Sequence, residues 1–387
     1  MTDAIREGAA TDLDVVAVVA GGDGLARTND GQVVFVTGAL PGERVRVHVT
    51  EARRDFARAA VTDVLVGSLD RAAPPCGFVA LGCGGCGWQH VRAGAQLALK
   101  RSIVVDSLRR LARIDDPPVT DGIALPAEGY RTTLKLAVDA EGRPALHRNA
   151  SHDLVAIDAC LVAHPLLADL VATGRWPGAR SVTLRCGART GETLVKVSPN
   201  RAGGSSGEHF HEIAAGRRWR ISAASFFQAR ADGADVLADT VTALVRAGGS
   251  STAVDLYCGV GLFAGALADA GVDVVAAVEG SRASVLDARH NLGSAIPVVH
   301  ADIAKWAPVA AEAVVADPAR VGLGRAGVAV VAGCSPEQII LVSCDAASLG
   351  RDARLLAEAG FSLDTSVPVD LFPHTPHVEV VSRFVRR

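Results

Sequence analysis

The sequence predicts an α/β protein. Its C-terminal part reads as a Rossmann-like, doubly wound parallel sheet, preceded by an OB-like β-barrel and a β-rich central section. Three observations predict this. Short runs rich in β-branched residues, separated by Gly-, Asn-Asp-Gly- and Pro-Gly-containing turns, fill residues 11–66. From about residue 225, strand-like apolar runs alternate with helix-like ones. The first of those runs leads directly into Gly259-Val260-Gly261, a strand-to-helix turn of the kind that faces a ligand. A chain of 387 residues accommodates two or three domains, and the pattern divides it at 8–68, 69–225 and 226–387.

Taken in order, strands are expected at 15–19, 32–36, 44–49 and 59–66, enough for a small barrel. A Pro/Cys/Gly-rich loop at 72–90 precedes a helix over 91–115, with Leu97, Ile103, Val104, Leu108 and Leu111 as its apolar stripe and Asp115-Asp116-Pro117-Pro118 as its stop. In the central section, 133–138 pairs with 145–148, and 181–185 pairs with 193–197, across Gly-containing turns. The parallel strands fall at 253–257, 274–278, 297–300, 314–316 and 339–343.

Composition narrows the function. Hydrophobic residues make up 49% and charged residues 21%, which excludes wholesale disorder. The 39 Lys and Arg against 42 Asp and Glu leave a net charge of −3, so no polynucleotide partner can be argued from charge. Only four of those cations are Lys, a bias that a GC-rich genome explains. No apolar run reaches the ~18 residues of a membrane span, and Met1 to Arg6 carry no apolar signal core. The expectation is therefore a cytoplasmic monomer without membrane contact.

The candidate sites lie at strand ends. Asp255 precedes Tyr257, Gly259 and Gly261, and Glu279 closes the next strand, where a ribose-binding acid belongs. Asp302 follows the third strand and could reach an adenine amino group. The third Gly of the dinucleotide fingerprint is missing, which favours S-adenosylmethionine, a ligand without a pyrophosphate. Asp317, with Pro318, ends the strand at 314–316, and Cys344 follows the strand at 339–343 where a catalytic thiolate would stand. Glu379 opens a final strand among Val378, Val380 and Val381, where its pKa should rise to suit proton transfer. Pro373 and Pro376 argue against His374 and His377 presenting both rings from one helix face to a metal. Cys76, Cys83 and Cys86, with a distant Cys160, suggest metal ligation; zinc and an iron–sulfur cluster are both compatible with that spacing.

Together these motifs resemble the uracil-5 RNA methyltransferase family over nearly the whole chain. Gly38-Ala39-Leu40-Pro41-Gly42-Glu43 resembles a TRAM domain, and Ser225-Phe226-Phe227-Gln228 the family's cofactor-contacting segment. Ser343-Cys344 and His374-Thr375-Pro376-His377-Val378-Glu379 resemble its nucleophile and general-base motifs. The resemblance implies that Gln228, Tyr257, Gly259, Glu279, Asp302 and Asp317 serve the S-adenosylmethionine site. It also implies that Cys76, Cys83, Cys86 and Cys160 hold a [4Fe–4S] cluster rather than zinc. Three positions depart from the family pattern: Ala319 replaces the second Pro of Asp-Pro-Pro-Arg, Asp345-Ala346 replaces Asn-Pro after the Cys, and Leu262 stands where many members carry Asn.

The implied reaction is methylation of uracil carbon-5 in RNA, 23S ribosomal RNA being favoured over transfer RNA, through a covalent adduct of Cys344 with proton removal by Glu379. The target base must leave its stack. Arg53-Arg54 with Arg58, Lys100-Arg101, Arg109-Arg110 with Arg113, and Arg217-Arg218 with Arg220 are candidate RNA-contacting patches. Two competing readings are a non-catalytic iron–sulfur RNA-binding protein and a methyltransferase acting on DNA or on cytosine. Against the second, Ser343 rather than Pro precedes the thiol.

Overall fold

The computed structural model describes residues 5–149, 151–199 and 208–387; residues 1–4, part of the stretch in which a leader was sought, lie outside them. Strands β1 (Ala10–Val18), β2 (Gly24–Arg27), β3 (Val33–Thr37), β4 (Arg44–Ala52) and β5 (Phe56–Val66) close a barrel in the order β1-β2-β3-β5-β4. Alternate residues point inward, so Leu13, Val15, Val34, Val36, Val45, Val47 and Val49 form one core. Three register shifts between β4 and β5 bend these long strands around the barrel. The sequence pattern lacked β2 because Gly-Leu-Ala-Arg has no β-branched residue; its pairing with β1 and β3 makes it a strand.

Helix α1 (Ala93–Ser107) runs on into a wider π-helical turn, Leu108–Ala112, and ends at Arg113 with φ 60°. Its buried face is not the pure apolar stripe expected. Leu97 and Leu111 are only half-buried, while Gln96 and Lys100 join Ile103, Val104 and Leu108 inside. The central sheet is antiparallel: β6 (Thr133–Val138), β7 (Pro144–His147), β8 (Leu154–Ala156), β9 (Ser181–Cys186) and β10 (Thr193–Ser198), ordered β10-β9-β6-β7-β8. Helix α2 (Pro165–Thr173) contributes Leu167 and Val171 to its core. Both expected pairings occur, Ala137 opposite Ala145 and Leu184 opposite Val195.

A hairpin, β11 (His209–Ala214) and β12 (Arg217–Ser222), then leads to α3 (Ala231–Ala247). The remaining chain alternates β13 (Thr252–Leu256), α4 (Leu262–Asp269), β14 (Asp273–Glu279), α5 (Arg282–Leu292), β15 (Val298–His300), β16 (Ala313–Ala316), α6 (Gly324–Gly333), β17 (Gln338–Ser343) and α7 (Ala346–Glu358), before β18 (Phe361–Val369) and β19 (Glu379–Arg386). The seven strands are ordered β15-β14-β13-β16-β17-β19-β18. Strands β16 and β17 are buried at every residue, as a parallel sheet covered on both faces requires. Among the described strands of this sheet, β19 alone runs opposite to the common direction of the others. Its first residue therefore lies at the same edge as the last residues of β13, β14, β16 and β17, and that edge holds the site. Among the described residues no helix is long and apolar enough to cross a membrane.

Candidate active site

A cavity of about 440 Å³ opens at this edge. Tyr257, Glu279 and Asp302, from the ends of three successive strands, line it together with Ile303, Leu323 and Gly327. Glu279 shapes the turn above it: its carboxylate accepts from Gly259 N–H at 3.0 Å and from Ser281 N–H at 2.6 Å. Tyr257 adopts φ 62°, a left-handed backbone that a bulky residue enters only under constraint. Gly261, at φ 101°, passes so close to Leu292 that an added methyl would lie 2.8 Å from its side chain. Asp302 caps the short helix that follows, accepting from Ala304 N–H at 3.1 Å.

The wall is acidic, and a further carboxylate, outside the lining, is buried near Glu279. Asp255 is fully buried and accepts from Ala264 N–H at 2.9 Å, while its second oxygen has no partner. Burial, with Asp317 and Glu279 nearby, raises its pKa well above the usual range. Two carboxylate walls and a tyrosine suit a ligand that offers hydroxyl or amino donors and positive charge. Gln228, Gly259 and Asp317 do not line the cavity. Gly259 acts on it through its bond to Glu279, and Gln228 is buried just before α3.

Beside the cavity stand the candidate reacting groups. Ser343 pairs with Val380 in the antiparallel ladder of β17 and β19, so one step further along that register sets Cys344 opposite Glu379. Cys344 is half-buried, Glu379 only 4% exposed. Burial first, then the carboxylates of Glu379 and Asp317, push the Cys344 thiol up to about 11, while Arg320 pulls it down. Burial and Asp317 raise Glu379 well above the usual carboxylate range. Asp317 keeps some open surface but is enclosed by protein, and burial lifts it to about 7. Asp345 caps α7, accepting from Ser348 N–H at 2.8 Å, with Ala346 as first helical residue. An Asp-Ala pair keeps this helix start because Asp, like Asn, is a good cap.

Residues 370–378, which precede Glu379, are held from four directions. Lys100 Nζ, wholly buried, donates to Asp370 at 2.5 Å and to the Phe372 carbonyl at 3.0 Å. Gln96 accepts from His374 N–H at 2.6 Å. Tyr130 and Arg230 donate to the carbonyls of Pro373 and Leu371 at 3.1 and 3.3 Å. Arg320 reaches His377 at 3.4 Å.

Cys76, Cys83, Cys86 and Cys160 are half-buried free thiols. They lie near enough to act on one another electrostatically. Burial raises Cys83 and Cys160, with Cys76 adding to each; burial raises Cys86 to about 11, with Cys160 and Cys83 adding. Arg131 faces both Cys86 and Cys160. Among the described residues, no three His, Cys, Asp or Glu side chains are gathered closely enough to hold a single metal ion.

Comparison with known proteins agrees with this architecture. Residues 9–62 match the TRAM domain. An uncharacterized RNA methyltransferase of Streptomyces avermitilis is 34% identical, with 96% of this chain and 97% of that protein covered. A second, from Streptomyces coelicolor, is 36% identical over 96% of this chain and 92% of that one. The chain belongs to the RNA methyltransferase family. Its fold is also that of the Pyrococcus abyssi tRNA (uracil-54, C5)-methyltransferase in complex with S-adenosyl-L-homocysteine, at TM-score 0.74 and 22% identity, covering 96% and 99% of the two chains.

In this RNA methyltransferase some cations expected at an RNA surface are otherwise engaged. Lys100 is buried against Asp370, which corrects the reading of Lys100-Arg101 as a patch; Arg101 itself donates to the carbonyls of Val119 and Thr120. Arg217, Arg218 and Arg220 pair with Asp269, Glu192 and Asp287. Sequence reasoning missed Trp88, Gln96 and Asp352, and took Lys100 for a surface cation. Asp352, on α7, accepts from Leu323 and Gly324 N–H at 2.7 and 3.0 Å and closes the loop after Asp317. None of the four belongs to a motif, and their roles arise from partners distant in sequence.

Proposed function

We propose that this RNA methyltransferase transfers a methyl group from S-adenosylmethionine to carbon-5 of a uridine in RNA, with Cys344 as nucleophile and Glu379 as general base. The observation that carries the reading is the pairing of β17 with β19, whose register sets Cys344 opposite Glu379 beside the Tyr257–Glu279–Asp302 cavity.

The cavity's acidic wall fits the donor: Glu279 and Asp302 supply acceptors for ribose hydroxyls and the adenine amino group, and their charge suits a sulfonium. The donor supplies a methyl group activated by that sulfonium. Uracil carbon-5 is a poor nucleophile. The Cys344 thiolate adds to carbon-6, and the displaced electron pair moves to the carbon-4 oxygen as an enolate. Carbon-5 then takes the methyl, held in line by the cleft. The Glu379 carboxylate removes the carbon-5 proton, and the returning electron pair expels Cys344 as thiolate. Asp317, outside the donor cavity and acting on both Cys344 and Glu379, orients the base. The reactive form thus carries two ionised groups, Cys344 and Glu379, and a bound cationic donor favours both.

The four cysteines support a [4Fe–4S] cluster more than zinc. That preference rests on the family resemblance of the Cys76, Cys83, Cys86 and Cys160 set, whose thiols act on one another electrostatically. Such a cluster would order the loop at 76–90; methyl transfer by this route needs no electrons from it. Ribosomal RNA is the first target reading. Transfer RNA is the second, favoured by the likeness to the Pyrococcus abyssi enzyme.

Two experiments test this. Mass mapping of methylated uridines in total RNA from a deletion strain should show one loss at carbon-5. Replacing Glu379 with Gln should trap a protein–RNA adduct visible on a denaturing gel, because the carbon-5 proton then stays in place. A full complement of 5-methyluridine in the deletion strain would refute the function, and absence of the adduct would remove Glu379 from its role.

A further inference from the structure

The segment between β18 and β19 has no ladder of its own, yet it decides where Glu379 stands. One residue ties it to the other end of the molecule. Trp88 is 2% exposed and uses both of its N–H groups. Its backbone N–H donates to the His374 carbonyl at 2.8 Å. Its indole N–H donates to the carbonyl of Gly22, 66 residues earlier, at 3.0 Å. Gly22 lies in the turn between β1 and β2 at φ 92°, and a methyl added there would sit 2.5 Å from Pro376 Cβ and 2.6 Å from Trp88 Nε1. Barrel turn, tryptophan and the segment before Glu379 therefore meet with no spare room.

The held segment is one that would not hold itself. His374 sits in the left-handed region at φ 66°. Gln96 Oε1 must accept from His374 N–H, which makes the Gln96 amide nitrogen the donor that meets His374 Nδ1 at 3.3 Å. The imidazole proton is therefore on Nε2, and that atom is buried with no partner among the described residues. A left-handed backbone and an unsatisfied donor both carry a cost, so the conformation is imposed by its clamps.

We propose that Trp88 is a positioning residue for methyl transfer. By tying Gly22 to His374 it sets where β19 begins, and so the placement of Glu379 against Cys344. It is buried and does not line the cavity. The barrel and the reacting pair consequently form one mechanical unit, and the barrel turn at Gly22 is part of the active-site support. The inference rests on the function proposed above only for the identity of the reacting pair.

Two variants test it from opposite sides of the clamp. Trp88→Phe keeps the ring and removes the indole N–H; Gly22→Ala presses a methyl onto Pro376. In both, hydrogen exchange of residues 370–380 in the full chain should quicken about tenfold, with the rest of the molecule unchanged. In both, kcat should fall roughly 10- to 100-fold while KM for RNA and Kd for the donor stay within about twofold. Trp219→Phe is the reference, because Trp219 is equally buried and donates to the Ala214 carbonyl at 2.8 Å in the β11–β12 hairpin. It should lower the melting temperature and leave both kcat and the exchange of 370–380 alone. Wild-type exchange rates at 370–380 in Trp88→Phe and Gly22→Ala would overturn the proposal, as would a uniform rise along the chain or a loss confined to KM. If one variant does not fold, the other decides. The exchange arm stands even if the wild-type protein proves not to methylate uridine, so the two failures are distinguishable.

Discussion

Cys344, as a thiol pushed up to about 11, is almost wholly protonated at neutral pH, and burial with Asp317 alongside raises Glu379 well above the usual carboxylate range. The proposed chemistry needs both ionised, so the single-turnover rate should climb as pH rises from neutrality towards about 11, where the Cys344 thiol ionises. A flat rate between pH 6 and 9 would contradict the assignment. Cys344→Ala should lower turnover roughly 10⁴-fold or more and leave donor affinity unchanged, measured by calorimetry. Stability carries the opposite sign. Asp317 ionises near its ordinary value when unfolded and only at about 7 when folded, so the folded state binds the extra proton and its stability falls as pH rises between those values. Asp317→Asn should therefore raise the melting temperature more at pH 8 than at pH 5, by several degrees, on the order of what 1–2 kcal/mol gives.

Helix α1 carries a conflict that is resolved only by its neighbour. Gln96 and Lys100 lie four apart on its inner face, where the pattern asks for apolar residues, because residues 370–378 supply an N–H donor to Gln96 and a carboxylate acceptor to Lys100. Burial lowers the Lys100 pKa, and the ion pair with Asp370 opposes that. Lys100→Met should cost about 3–5 kcal/mol by leaving Asp370 buried and unpaired, and Lys100→Met with Asp370→Leu should recover most of it. Chemical denaturation of both variants measures the difference. The strand–turn–helix units were legible in sequence because Val, Ile and Leu runs at 253–257, 274–278 and 339–343 are buried on both faces and bounded by Gly, Asp or Cys. Strand β2 and the hairpin β11–β12 were not, since short strands with little β-branching gain their conformation from pairing.

Across the whole molecule, barrel, cysteine loop and methyltransferase sheet share contacts rather than sitting on linkers. Cys86 is two residues from Trp88, so a group bound by the cysteines would stiffen the same clamp that reaches His374. Anaerobically purified protein should contain iron, with a broad visible absorption that Cys160→Ser removes. Iron and zinc analysis would distinguish a cluster from zinc.

The sequence alone determined the types of the proposed reacting residues and their places at strand ends, because parallel strands buried on both faces advertise themselves as apolar runs, and side-chain chemistry just past each run is local information. Tertiary structure alone decided which of those ends meet. The antiparallel entry of β19 beside β17, the burial of Lys100 and the reach of Trp88 to Gly22 all depend on pairing between segments far apart in the chain, and no local pattern encodes a register that only the packed sheet enforces.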